Sequence, residues 1–78
     1  MTSQKRPRPG DLVILTAIPR GLLDNLPKED QEAISAVVGK QIRLNDYDDT
    51  GRAELEFTDN NGQIHFVYVT PDVISAAD

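Results

Sequence analysis

Three segments in the second half of the chain alternate apolar and polar residues with a period of two. They are residues 40–47, 52–58 and 63–70, with the sequences KQIRLNDY, RAELEFT and QIHFVYVT. This period is typical of β-strands that bury one face. The segments are separated by DDTG and DNNG, which are rich in turn-forming residues. The pattern therefore predicts three antiparallel strands joined by tight hairpins.

The third of these segments is largely apolar on both faces. Ile64, Phe66 and Tyr68 would lie on one face, and His65, Val67 and Val69 on the other. One face should meet the core. The other face must then be covered by the helix, by the chain ends or by another molecule.

The first half of the chain contains one further strand and a helix. Residues 11–18, DLVILTAI, form a nearly continuous apolar run, which predicts a strand that is buried on both faces or lies in the middle of a barrel. Residues 28–38 have acids near their start and apolar residues at helical spacing, which predicts a helix. Gly39 follows as its predicted left-handed terminal residue. After the last hairpin strand, PDVIS predicts a turn and a short strand or 3₁₀ piece.

Three motifs in this order carry a resemblance: PGDLVIL, GKQIRLNDYDDTGRAELEF and HFVYVTPDVI. Over residues 9–75 the chain resembles the SH3-like small β-barrels found in stand-alone bacterial proteins. The resemblance implies a mainly β fold, an SH3-like five-stranded barrel with one short helix inserted in the loop after the first strand. Residues 1–9 would be a flexible basic tail, 10–75 a single barrel domain and 76–78 a C-terminal tail. Such folds host many unrelated binding roles, so the likeness does not specify an activity.

The stretch DYDDTG, residues 46–51, contains two motifs that look catalytic. Asp46, Asp48 and Thr50 are similar to a phosphatase nucleophile motif of the haloacid-dehalogenase type, and Asp49-Thr50-Gly51 to the aspartic-protease triplet. The phosphatase needs a doubly wound α/β domain, and the protease needs an apolar site shared by two lobes. Neither setting is indicated here. We expect a hairpin turn in which Asp side chains cap the loop and Gly51 has a positive φ, with weak cation binding left open.

The remaining residues give little basis for catalysis. The chain has no cysteine and one histidine, His65. A lone histidine on a strand is more often a packed or surface group than a base. We therefore expect no enzyme activity, no cofactor and no metal site.

Charge is distributed unevenly along the chain. Residues 1–10 hold Lys5, Arg6 and Arg8 and no acid, which gives +3, and the remaining five basic and thirteen acidic residues give −8. An acidic body disfavours nucleic acid, because that affinity depends on neutralising phosphates. The short apolar run LVILTAI has no cleavage site after it and is too short to span a bilayer. We expect a cytoplasmic location and no membrane contact.

The function predicted from these observations is a non-enzymatic protein-interaction module or an accessory subunit of a larger assembly, present as a monomer or a weak homodimer. Its partner would be another protein. The leucines of residues 22–26 would either plug one end of the barrel or form an exposed ridge. The predicted partner-binding residues are Leu22, Leu23, Leu26, Asp46, Asp48, Asp49, Glu54 and Glu56. The alternative is a nucleic-acid-binding or ribosome-associated protein that uses Lys5, Arg6, Arg8, Arg43 and Arg52.

Overall fold

A computed structural model describes residues 6–77. Its helix and strands confirm a mainly β fold with a helix after the first strand. In chain order the elements are β1 (Leu12–Leu15), α1 (Lys28–Val37), β2 (Gln41–Tyr47), β3 (Ala53–Thr58), β4 (Ile64–Val69), a 3₁₀ turn (Pro71–Val73) and β5 (Ile74–Ala76). The terminal piece predicted from PDVIS thus contains both a 3₁₀ turn and a strand.

The five strands form one antiparallel sheet in the order β4-β3-β2-β1-β5. The hairpins β2–β3 and β3–β4 build a meander, and β5 returns to pair with β1. β4 and β5 are therefore the two edges. Within residues 6–77 they do not pair with each other, so the sheet is not closed into a barrel.

The core lies on one face of this sheet. Along each strand every second side chain points to this face, and the residues at these positions are apolar. The helix contributes one further residue to the core. The buried residues are Val13, Leu15, Ile34, Ile42, Leu44, Ala53, Leu55, Phe57, Val67 and Val69. All are apolar, and side chains from the loop before the helix pack around them.

Strand β1 is shorter and less buried than its sequence predicts. It ends at Leu15, where the N–H of Thr16 donates to the carbonyl of Val73 at 2.8 Å. Only Val13 and Leu15 are buried, whereas Leu12 is 50% exposed. The prediction of two buried faces is wrong because the opposite face of the sheet is open to solvent here.

Helix α1 begins and ends where its sequence signals indicate. Pro27 immediately precedes the helix as its N-cap residue. Glu29 and Asp30 lie in the first turn, where acids stabilise the helix dipole. Gly39 follows the helix with φ +85°, which confirms the predicted left-handed residue.

The described part of the N-terminal segment contacts the end of β2. The hydroxyl of Tyr47 donates to the carbonyl of Pro7 at 2.7 Å, and the Arg6 guanidinium lies 4.2 Å from the centre of the Tyr47 ring. The N–H of Gly10 donates to the carbonyl of Leu44 at 2.7 Å. Lys5, counted in the predicted basic tail, lies outside the described residues.

Candidate functional site

We call the loop between β2 and β3, residues 48–52, the first loop. Asp48 Oδ1 accepts hydrogen bonds from the N–H groups of Thr50 and Arg52 and from the Thr50 hydroxyl, at 2.8–2.9 Å. Gly51 has φ +87°. The Thr50 hydroxyl, followed by the backbone and side chain of Arg52, lowers the pKa of Asp48 to about 2. The prediction of a turn capped by its own aspartate is confirmed.

The other two aspartates of this stretch point into solvent. Asp46 lies on β2 and accepts a hydrogen bond from the N–H of Tyr47 at 2.8 Å, and Asp49 is exposed at the loop tip. Across residues 6–77 no group of three or more acidic or histidine side chains is arranged to hold a metal ion. The first loop is thus a turn capped by Asp48, with the acidic side chains of Asp46 and Asp49 exposed beside it.

The loop between β3 and β4, residues 59–63, is the second loop. Asp59 Oδ1 accepts from the N–H groups of Asn61 and Gln63 at 2.8 and 3.0 Å, and Gly62 has φ +84°. The other oxygen, Oδ2, lies 2.7 Å from Nε2 of His65. Hydrogen bonding to His65, followed by that to the Gln63 N–H, lowers the pKa of Asp59. The hairpin predicted from DNNG is confirmed.

His65 joins three parts of the molecule. Its ring stacks on Phe57 with centroids 5.2 Å apart, and its Nδ1 lies 3.3 Å from Asp30 Oδ1 on α1. Its side chain is only 9% exposed. Both ring nitrogens face carboxylate oxygens, and a neutral imidazole can donate to only one of them. His65 therefore links the helix to the second loop.

The outer face of β3 carries two carboxylates, Glu54 and Glu56, which we call the acidic pair. A bulge in β2 places Asn45 opposite them, because the register shifts between Leu44 and Asp46. Asn45 Nδ2 donates to Glu56 at 2.8 Å and to Glu54 at 3.4 Å. This amide holds the two like charges side by side on the surface.

Next to the acidic pair, strand β4 presents three large apolar side chains to solvent. Ile64 is 58% exposed, Phe66 55% and Tyr68 41%, and we call them the β4 stripe. Glu56 lies opposite Phe66, and Glu54 lies opposite Tyr68. The negative charge of Glu54 is the main cause that raises the pKa of Tyr68. The sequence did not establish what covers this second face of β4. Within residues 6–77 nothing covers it.

The predicted partner-binding residues fall into two groups. Leu22, Leu23 and Leu26 are half-buried and pack against the core. The acidic members lie on the hairpin β2–β3, and two of them border the β4 stripe. The stripe was not among the partner-binding residues predicted from the sequence, although the largely apolar character of both faces of β4 was the available signal.

The basic residues of the alternative function are dispersed. Arg43 lies opposite Glu56 in the sheet. Arg52 donates through Nε to Asp48 Oδ2 at 2.9 Å, and its guanidinium lies 5.6 Å from the centre of the Tyr68 ring. Arg6 stacks on Tyr47, and Arg8 is exposed. Arg52 is thus paired with a carboxylate, and Arg43 lies across the sheet from one.

Comparison with protein-family models, with curated proteins and with solved structures finds no match to this chain. Among residues 6–77 no helix is long and apolar enough to cross a membrane.

Proposed function

We propose that this chain is a non-enzymatic protein-interaction module that binds a basic surface of another protein through the outer face of β3 and β4. The observation that carries the proposal is the β4 stripe beside the acidic pair. Three adjacent exposed apolar side chains on a small domain are typical of interaction surfaces rather than of scattered surface residues. Aromatic side chains also supply much of the binding energy at protein interfaces.

Charge supports a basic partner. The acidic pair lies directly across from Phe66 and Tyr68, and Asp46 and Asp49 are exposed on the same hairpin. A partner with Lys or Arg around an apolar contact would pair with these carboxylates, and the attraction would accelerate encounter. An acidic surface of this kind also disfavours phosphate backbones.

The fold proposed for the module is an SH3-like barrel. Its support is the order of elements: a first strand, a long loop that holds a helix, a three-stranded meander and a terminal strand that returns to the first. The sheet encloses its core on one side with α1, as a small open barrel would. The outer face of the meander then remains available for binding.

The test is a comparison of three baits in nuclease-treated lysate from the source organism. They are the native chain, the variant Glu54→Gln/Glu56→Gln, and the matched control Glu29→Gln/Glu32→Gln, which removes two exposed charges from α1 instead. Gln keeps the shape and the hydrogen-bonding oxygen of Glu, so the fold should persist. We expect the native chain and the control to retain the same basic proteins, which the acidic-pair variant loses.

A retained protein is then purified, and its affinity is measured at low and high salt. The acidic-pair variant should weaken binding at least tenfold, and Phe66→Ser should weaken it at both salt concentrations, whereas Leu12→Ser should not. The proposal fails if all baits retain the same proteins with equal affinity, or if none retains any protein above the empty matrix.

A further inference from the structure

No other strand of residues 6–77 lies along the outer edge of β4. β4 pairs only with β3 within residues 6–77. The N–H of Asp59 donates to the carbonyl of Gln63 at 2.9 Å, which makes this a hydrogen-bonded pair. Hydrogen-bonded pairs alternate along an antiparallel ladder, so His65, Val67 and Val69 direct their backbone groups toward β3. Ile64, Phe66 and Tyr68 therefore direct their N–H and C=O groups away from the sheet.

This edge has none of the features that usually prevent pairing with another strand. Edge strands are commonly blocked by charged residues, by proline or by a bulge. Strand β4 has six residues, no proline, and an unbroken register with β3. Its one titratable polar side chain besides Tyr68 is His65, which is directed inward to Asp59 and Asp30. The opposite edge, β5, has only three residues.

We propose that the occupant of this edge is β4 of a second copy of the chain, paired antiparallel about a two-fold axis at Phe66. This register sets Phe66 opposite Phe66 of the second copy and Ile64 opposite its Tyr68. The residues that direct backbone groups outward then face one another, as an antiparallel ladder requires. The pairing is isologous and closed, since each copy contributes the same strand.

Side-chain chemistry at the edge favours the second copy over a basic strand. In the paired register each stripe residue lies opposite an apolar residue of the second copy, so the two stripes form one continuous apolar band. The acidic pair stands on β3, one strand behind the edge. Across the dimer the two acidic pairs are three strand spacings apart, about 14 Å, which exceeds the screening length of about 8 Å at physiological salt. Repulsion between two acidic copies is therefore weak at this contact.

Edge pairing leaves the outer face of the stripe open, because side chains project perpendicular to the sheet. The dimer thus presents two acidic pairs on either side of one apolar band. Dimerisation does not depend on the proposed function. A partner of the module would nevertheless meet a bivalent surface, and bivalency increases apparent affinity.

Disulfide trapping tests the register directly, since the native chain contains no cysteine. Opposite residues of a hydrogen-bonded pair have Cα atoms about 5.5 Å apart, within the range that a disulfide accepts. With oxidised glutathione, Phe66→Cys should form a covalent dimer at least tenfold faster than Leu12→Cys, a similarly exposed position on the inner strand β1. Ile64→Cys and Tyr68→Cys should cross-link slowly alone and rapidly when mixed.

Sedimentation equilibrium from micromolar to millimolar concentration completes the test. The native chain should approach twice its mass of 8.6 kDa, whereas Phe66→Pro should remain monomeric. Proline removes an N–H that β3 does not use, so the ladder to β3 stays intact, and circular dichroism checks the fold. Equal trapping of Phe66→Cys and Leu12→Cys would overturn the dimer. So would a native chain that stays monomeric, or larger oligomers expected from β4–β5 pairing. The acidic-pair variant leaves the edge unchanged and should still dimerise, which separates this test from that of the function.

Discussion

The two hairpin loops are built alike and connected differently. In each, an aspartate opens the loop, its Oδ1 accepts from the backbone N–H groups two and four residues later, and a glycine in the fourth position has a positive φ. The difference is the contact made by the second carboxylate oxygen. In the first loop it binds Arg52, which is 52% exposed; in the second it binds His65, which is 9% exposed.

This difference determines whether a loop contacts only its surface surroundings or packs through a buried side chain against other elements of the fold. Arg52 returns to its own loop and lies over the exposed ring of Tyr68 on β4, so its contacts are at the surface. His65 stacks on buried Phe57 and reaches Asp30 on α1, so the second loop fixes the helix against the sheet. The same Asp-x-x-Gly pattern therefore contributes more to the tertiary structure in the second loop than in the first.

The largest difference should appear on truncating the side chains that bind these carboxylates. His65→Ala removes a packed ring and leaves Asp59 and Asp30 without their partner, so we expect it to lower the free energy of unfolding by about 2–3 kcal/mol. Arg52→Ala removes an exposed pair and should change it by at most about 0.5 kcal/mol. Urea unfolding followed by circular dichroism measures both.

His65→Gln is the informative control, because a Gln side chain retains a donor for Asp59 but loses the stacking on Phe57. The free energy of unfolding of His65→Gln should lie between those of the native chain and His65→Ala. Equal losses for Arg52→Ala and His65→Ala would show that the two loops contribute alike.

The second prediction concerns what the loops share. Gly51→Ala and Gly62→Ala should each lower stability by about 1 kcal/mol, because both force a side chain into the left-handed region. An added Cβ would meet no atom within 4 Å at either position, so backbone strain is the sole cost. Thermal melts of the pair should therefore shift by similar amounts, and Asn in place of Ala should recover part of the loss. A much larger shift at Gly62 would mean that the backbones of the two loops are not equivalent.

The smallest loss of stability should come from lowering the pH. The folded state lowers the pKa of Asp48 from 3.8 to about 2, and it also lowers the pKa of Asp59. A lowered pKa means stability that is present above the ordinary value and is lost as pH falls through the folded value. The urea midpoint should thus be level near neutrality and decline from about pH 4 to about pH 2.

Asp48→Asn isolates one contribution to this decline. The variant should be less stable than the native chain at pH 7, and the gap should close as the native carboxyl is protonated. A gap of constant size between pH 7 and pH 2 would contradict the assigned role of the Asp48 charge.

Local patterns predicted the meander well, because each hairpin is specified by neighbours in sequence. The turns at Gly51 and Gly62 and the inward residues Leu44 and Leu55 follow from alternation and turn chemistry alone. The bridge from His65 to Asp30 could not be predicted in this way. It depends on how α1 docks on the sheet, and no spacing in the sequence encodes that contact.

The candidate surface shows the same limit. Alternation establishes that Phe66 and Val67 lie on opposite faces of β4, but the choice of the buried face depends on where the core lies. For β1, the apolar run suggested burial on both faces, yet Leu12 is exposed because nothing within the described residues covers the outer side. The acidic residues Glu54 and Glu56 were predicted, and their position beside exposed aromatics was not.

The return of β5 to β1 has a consequence for the order of folding. Residues within the meander meet partners nearby in the chain, whereas Val13 pairs with Ala76 at the other end of the described sequence. Contacts between distant residues require closure of a long loop and form slowly. In refolding from denaturant, the meander can therefore assemble before β5 pairs with β1. The three residues of β5 then complete the sheet last, because their pairing with β1 closes the longest loop between strands.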